Sequence, residues 1–126
     1  MGGASPAREP VNEKGCGALK GKADVQAGIC GHRSTVRAET TDGRQVQFAV
    51  ETTCDNIRRF AARLAASDPF DAYKEINPKA SSDVLARAQE AACCTDCIVP
   101  VSTLKALRVA TGLALPADAA IALGKD

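Results

Sequence analysis

Apolar and polar residues alternate along the chain between residues 23 and 51, and a period of two is typical of half-buried β-strands. The first alternating stretch covers residues 23–29, and two more follow at 34–40 and 45–51. Asp42-Gly43 lies between the second and third stretches and is a strong signal for a tight hairpin turn. The pattern therefore predicts a three-stranded antiparallel meander.

The apolar spacing changes to that of amphipathic helices after residue 54. Ile57, Phe60 and Leu64 predict a helix that begins just after Cys54. N-cap and proline signals predict three further helices, which start at Asp68-Pro69, at Ser81 or Ser82, and at Pro100 or Ser102. The helix that follows the serines is expected to run directly into Cys93.

The last part of the chain returns to alternation. Ala119, Ile121 and Leu123 predict a fourth strand at an edge of the sheet, after the break at Pro116. The predicted order is β-β-β-α-α-α-α-β, with three to four helices packed on one sheet face. We therefore expect an α+β fold.

Glycine and proline interrupt the N-terminal residues, where no apolar period is found. We expect residues 1–21 to form a flexible tail and residues 22–126 to form a single α+β domain. Cys16 lies in this tail and is expected to be a free surface thiol, because an unstructured ligand loses conformational entropy on binding.

Composition limits the classes of function. Aromatic residues make up only 3% of the chain and the net charge is +1, so nucleic acid is not an expected partner. No stretch approaches the roughly 20 apolar residues of a membrane span, and residues 1–21 lack the apolar core of a secretory signal. We expect a cytoplasmic protein, in which six cysteines are typical of metal ligands or redox thiols rather than disulfides.

Half of the cysteines lie in the stretch Cys93-Cys94-Thr95-Asp96-Cys97, which contains a C-x-x-C spacing. Two more, Cys30 and Cys54, follow the first and third predicted strands, and antiparallel hairpins place the ends of those strands at the same end of the sheet. If the helix before Cys93 returns to this end, the cysteines converge there. The predicted metal ligands are Cys30, Cys54, Cys94 and Cys97, with Cys93 and His32 as possible additions.

Four thiolates suit either an iron–sulfur cluster or zinc. Structural zinc sites usually supply two close pairs of ligands, whereas this chain offers one close pair and two separate cysteines, so an iron–sulfur cluster is favoured. Two other readings stay open, namely a thiol–disulfide oxidoreductase that uses Cys94 and Cys97, and a Cys54 nucleophile with His32 as its base. The expected partner of an iron–sulfur protein is a redox protein or a cluster-accepting protein.

Four short pieces of the chain resemble a family of small uncharacterised cysteine-containing proteins from anaerobic prokaryotes. They are Ile29-Cys30-Gly31, Thr53-Cys54, Cys97-Ile98-Val99-Pro100 and Leu113-Ala114-Leu115-Pro116. The resemblance covers about residues 23–123 and implies no activity. It implies an anaerobic setting, which would favour iron–sulfur over zinc.

Overall fold

The structure is a computed structural model that describes residues 19–125. Within these residues, four strands form one antiparallel sheet in the order β1-β2-β3-β4, and four helices accompany it. The strands are β1 (Leu19–Gln26), β2 (Arg33–Thr40), β3 (Gln45–Thr52) and β4 (Phe70–Asp71). The helices are α1 (Asp55–Ala66), α2 (Ala72–Glu75), α3 (Asp83–Glu90) and α4 (Ile98–Ala110), and a 3-10 turn, Gly28–Cys30, joins β1 to β2. The predicted α+β class and the antiparallel meander are confirmed.

The core lies between the helices and one face of the sheet. Val36 and Val46 on that face are fully buried, while Arg37 and Glu51 on the other face are exposed. Helix α1 packs against β3 and α4 packs against β1 and β2, so the apolar stripes of both helices cover the same face. This is the one-sided arrangement that the alternating strands predict.

Helix α4 approaches β1 very closely at Gly21. A Cβ atom at this position would overlap the carbonyl oxygen of Ala106 and would lie 2.8 Å from the backbone nitrogen of Ala110. Backbone packing therefore requires a glycine at position 21. Strand β1 begins at Leu19, two residues inside the segment that the sequence predicts as a tail. The rest of the predicted tail, including Cys16, lies outside the described residues.

The prediction of a strand at residues 119–123 is wrong, because residues 115–125 form no regular structure. The fourth strand is instead β4, which pairs with β3 next to the hairpin. Phe70 is buried there against Phe48, with 5.5 Å between the ring centroids, whereas the C-terminal stretch is rich in alanine, which has a low preference for strands. The fourth strand thus follows α1 and does not end the chain.

Three element boundaries also differ from the predictions. Strand β1 ends at Gln26, so Ile29 lies in the 3-10 turn with its side chain fully exposed. Asp71, and not Asp68, caps the short helix α2, because residues 70–71 are held in the sheet. Helix α4 begins at Ile98 and includes Pro100 in its first turn, where a proline removes no intrahelical hydrogen bond.

Candidate metal centre

Two helices begin at the same end of the sheet, each directly after a cysteine. Cys54 is the N-cap of α1 and follows β3, and Cys97 is the N-cap of α4. The C-terminal half of α4 lies against Gly21 near the start of β1, so its N-terminus lies at the end where β1 stops. Helix N-termini carry partial positive charge and free N–H groups, so two groups of donors suited to an anion lie at this end of the molecule.

The turn that carries Cys30 is fastened to the residue before Cys54. The Thr53 N–H donates to the carbonyl oxygen of Arg33 at 3.2 Å, and the Arg33 N–H donates to the Thr53 hydroxyl at 3.4 Å. The same hydroxyl lies 2.9 Å from Nδ1 of His32. These contacts make His32 a link between the two cysteine-bearing segments.

Cys30 itself is exposed on a tight turn between two glycines. Gly28 and Gly31 have φ values of +83° and +74°, and the Gly31 N–H donates to the Gly28 carbonyl at 2.9 Å. The thiol of Cys30 points back to the carbonyl oxygen of Ala27, 3.9 Å away. The short turn thus presents a thiol at the surface beside the start of α1.

The loop after α3 is fastened to the first turn of α1. The thiol of Cys93 donates to the carbonyl oxygen of Asn56, with 3.7 Å between sulfur and oxygen. Arg59 reinforces the connection, because its Nε donates to the carbonyl of Ala91 at 3.1 Å and its Nη2 donates to the Asn56 side chain. Cys93 is therefore held against Asn56, which lies two residues after Cys54 in the chain.

The direction of α3 is set by a double cap. Ser82 accepts a hydrogen bond from the Leu85 N–H at 3.1 Å, as the sequence predicts for an N-cap serine. The buried Glu75 carboxylate accepts from the Ser82 hydroxyl and from the backbone N–H groups of Asp83 and Val84. Together they fix the N-terminus of the helix that leads to the cysteine loop.

Cys94 and Cys97 occupy the two ends of a turn, in which the Cys97 N–H donates to the Cys94 carbonyl at 3.1 Å. Cys94 is exposed and Cys97 is half-buried against the core. Such a turn can direct two sulfurs toward one point, which is the property that metal binding and dithiol chemistry share.

The thiols influence each other electrostatically. Burial raises the pKa of the Cys97 thiol, the Val99 backbone N–H opposes this rise, and the thiols of Cys54, Cys94 and Cys30 add to it. Burial also raises the pKa of the Cys93 thiol, and the thiols of Cys97 and Cys54 add smaller increases. The positive charge of Arg59 opposes this rise. Cys97 thus lies within electrostatic range of three other thiols, that of Cys94 in its own turn and those of Cys30 and Cys54 in two other segments.

These contacts define the cysteine end of the molecule, which comprises Cys30, Cys54, Cys93, Cys94 and Cys97, with His32 beside them. Within residues 19–125, however, no group of three or more His, Cys, Asp or Glu side chains is arranged so that it could hold a metal ion as the side chains stand. Metal ligation by Cys30, Cys54, Cys94 and Cys97 therefore stays a prediction.

A family profile described as a family of unknown function (DUF6951) matches residues 21–123, most of the chain. The chain belongs to this family. Membership in DUF6951 confirms the expected resemblance to an uncharacterised family, while the anaerobic origin stays a prediction. No curated protein and no solved structure matches the chain significantly.

Sequence reasoning missed three residues that organise the cysteine end of this DUF6951 chain. Thr53 joins the Cys30 turn to Cys54, and Asn56 and Arg59 join α1 to the Cys93 loop. Their roles depend on backbone partners from distant segments, so no local pattern identifies them. Among the described helices, none combines the length and the apolar character that crossing a membrane requires.

Proposed function

We propose that the protein is a small cysteine-ligated metal-binding protein, and that its centre is an iron–sulfur cluster used in electron transfer or cluster delivery. The observation that supports this most is the fastening of three distant segments at one end of the sheet. Hydrogen bonds through Thr53 hold the Cys30 turn to Cys54, and the Cys93 thiol contacts the first turn of α1. The segments that carry these cysteines, although far apart in sequence, are thereby kept near each other.

The ligand set that suits this arrangement is Cys30, Cys54 and Cys97 together with Cys94, with Cys93 as the alternative fourth ligand. All of these donors are thiols, and soft thiolates prefer iron–sulfur clusters or zinc to hard cations. Two helix N-termini at the same place would supply N–H groups to the sulfurs and would favour the net negative charge of a thiolate-bound cluster.

Ligation requires the thiols to turn toward a common point. The sulfur of Cys30 faces Ala27 and the sulfur of Cys93 faces Asn56, and each has a single weak hydrogen bond to give up. Cys30 and Cys94 are exposed, and neither forms a disulfide. Burial raises the pKa of Cys97 and the neighbouring thiols add to the rise, and a cation among the thiols would oppose both effects.

A thiol–disulfide oxidoreductase that uses Cys94 and Cys97 is the second candidate, because the turn between them needs no metal to bring the two thiols near each other. In that case the two thiols would lose two electrons and two protons to a substrate disulfide, which would be reduced to two thiols. Cys94 would attack first, since it is exposed to a substrate, whereas Cys97 is half-buried and burial raises the pKa of its thiol.

Purification without oxygen tests the proposal. An iron–sulfur protein will be brown and will contain iron and acid-labile sulfide in equal amounts. A colourless protein with one equivalent of zinc would contradict the iron–sulfur cluster and would indicate a zinc-stabilised binding or structural module. A colourless, metal-free protein that forms a reversible Cys94–Cys97 disulfide would support the oxidoreductase and contradict the metal centre.

A pair of matched variants locates the metal. Cys54→Ala removes a predicted ligand and is expected to lose the metal, whereas Cys16→Ala removes a cysteine that the sequence places in the tail and is expected to keep it. Equal metal content in the two variants would exclude Cys54 from the centre. For an intact cluster, the expected partner remains a redox protein or a cluster-accepting protein.

A further inference from the structure

The cysteine-bearing segments are fastened to each other, but their thiols do not yet converge on one point. Cys54 and Cys97 are the N-caps of α1 and α4, and the apolar faces of both helices pack into the core, so the fold fixes these two positions. Within residues 19–125, no three donors are arranged to hold a metal ion. At least one cysteine-bearing segment therefore has to move when a metal binds.

The Cys30 turn, residues 27–32, is the segment best suited to this movement. Hydrogen bonds through Thr53 hold the base of the turn beside Cys54. Gly28 and Gly31 flank the tip, and glycine can change its backbone angles at little steric cost. A Cβ atom at either glycine would meet nothing within 4 Å, so the tip has open space around it. The turn thus combines an anchored base with a tip that can swing.

The tip presents an apolar side chain next to the Cys30 thiol. Ile29 is 106% exposed, more than any other large apolar side chain within residues 19–125. The start of α4 offers a surface for it, because Cys97 and Ile98 are only half-buried there. The thiols of Cys30 and Cys97 are already within electrostatic range of each other, so the tip has only a short distance to cross.

We propose that the Cys30 turn is a lid on the metal centre, which covers the bound metal with Ile29 and contributes Cys30 as the ligand that leaves first. This inference rests on the proposed metal-binding function and favours delivery of the metal centre over electron transfer. When the lid opens, the bond between the metal and the Cys30 sulfur breaks and the sulfur keeps the electron pair as a thiolate. A thiolate of the acceptor protein then takes the open position, and no electron is transferred.

Cadmium binding to the reduced full-length protein in the absence of oxygen tests the lid. Cd²⁺ is diamagnetic and prefers thiolates, so NMR can follow the methyl groups of Ile29 before and after the metal binds. In the metal-free protein, a soluble paramagnetic agent is expected to relax them as strongly as the methyl groups of Leu115, which is 88% exposed. After one equivalent of Cd²⁺, Ile29 is expected to lose most of this effect, whereas Leu115 keeps it.

The rate at which Cd²⁺ is transferred to excess EDTA provides a second measurement. Ile29→Ser is expected to release the metal about tenfold faster, the effect of losing roughly half of the free energy that burial of an isoleucine side chain contributes. Leu85→Ser is the matched control, because Leu85 is an apolar residue on α3 that is 42% exposed. This variant is expected to release Cd²⁺ at the wild-type rate.

The possible failures of the lid and of the metal centre are distinguishable. Cd²⁺ that binds while Ile29 stays as accessible as before would overturn the lid and leave the metal centre intact. The same release rate in Ile29→Ser and in the wild type, or an equal acceleration in Leu85→Ser, would also overturn the lid alone. Failure of the wild type to bind Cd²⁺ would contradict the proposed metal centre, and the lid with it.

Discussion

Glu75 offers a quantitative test of how α3 is held. Its side chain is only 6% exposed, and its carboxylate accepts three hydrogen bonds: from the Ser82 hydroxyl at 2.5 Å, from the Asp83 N–H at 2.9 Å and from the Val84 N–H at 3.1 Å. The replacement Glu75→Ala removes the carboxylate, so the hydroxyl and the two backbone N–H groups lose their hydrogen-bond acceptor. Because α3 leads into the cysteine loop, the same change should loosen the position of Cys93.

The expected loss of stability follows from these three contacts. A hydrogen bond to a charged group contributes about 1.5–3 kcal/mol, but donors in the first turn of a helix regain part of this from water, so Glu75→Ala should cost about 3–4 kcal/mol. Glu75→Gln keeps one carbonyl acceptor and loses the charge, and should cost about 1–2 kcal/mol.

Urea unfolding followed by circular dichroism measures these free energies. Lys74→Ala is a suitable control, because it removes a neighbouring ion pair, Lys74 with Asp83 at 2.8 Å, whose two side chains are nearly half exposed. Such a pair contributes about 0–1 kcal/mol. If Glu75→Ala were no more destabilising than Lys74→Ala, the capping role assigned to Glu75 would be refuted.

Three further changes have predicted outcomes. Ala92 has a φ of +59°, a left-handed conformation that is strained for alanine and relaxed for glycine. Ala92→Gly should therefore raise the free energy of unfolding by about 1 kcal/mol in the same urea assay, and a lower free energy of unfolding would contradict this strain. Gly21→Ala would force its Cβ against the backbone of α4 and should cost about 3 kcal/mol; unchanged stability would show that α4 can move away. Arg44 lowers the pKa of Asp71 below its ordinary 3.8, so the stabilisation from Asp71 is present above about pH 4 and is lost as pH falls through the lower folded value. The stability advantage of the wild type over Asp71→Asn, measured against pH, should therefore shrink in acid, and a constant difference would argue against the pair.

Sequence reasoning succeeded where a periodic pattern and a local signal agree. The alternation before residue 51 and the Asp42-Gly43 turn give the meander, and Gly43 adopts the positive φ of +78° that this turn requires. The placement of Cys30 and Cys54 at one end follows from the antiparallel order alone. The contacts through Thr53 agree with that placement.

Other features depend on contacts that no local pattern contains. Strand β4 has two residues and exists because Phe70 packs on Phe48, so its sequence carries no alternation. Gly21 has the sequence context of a chain breaker in a glycine-rich segment, but the close approach of α4 requires a glycine there. Ile121 has the spacing of a strand residue, yet it finds no partner strand among residues 19–125.

The most direct test of the account is a titration of the reduced protein with Co²⁺ in the absence of oxygen. Converging thiols will bind one equivalent and give intense sulfur-to-cobalt charge transfer together with the visible bands of a tetrahedral site. Replacement of Cys30, Cys54 or Cys97 by alanine should abolish or strongly weaken this spectrum, and Cys16→Ala should leave it unchanged. Cobalt bound equally well by all four variants, or not bound by the wild type, would contradict the convergence of these thiols on one metal site.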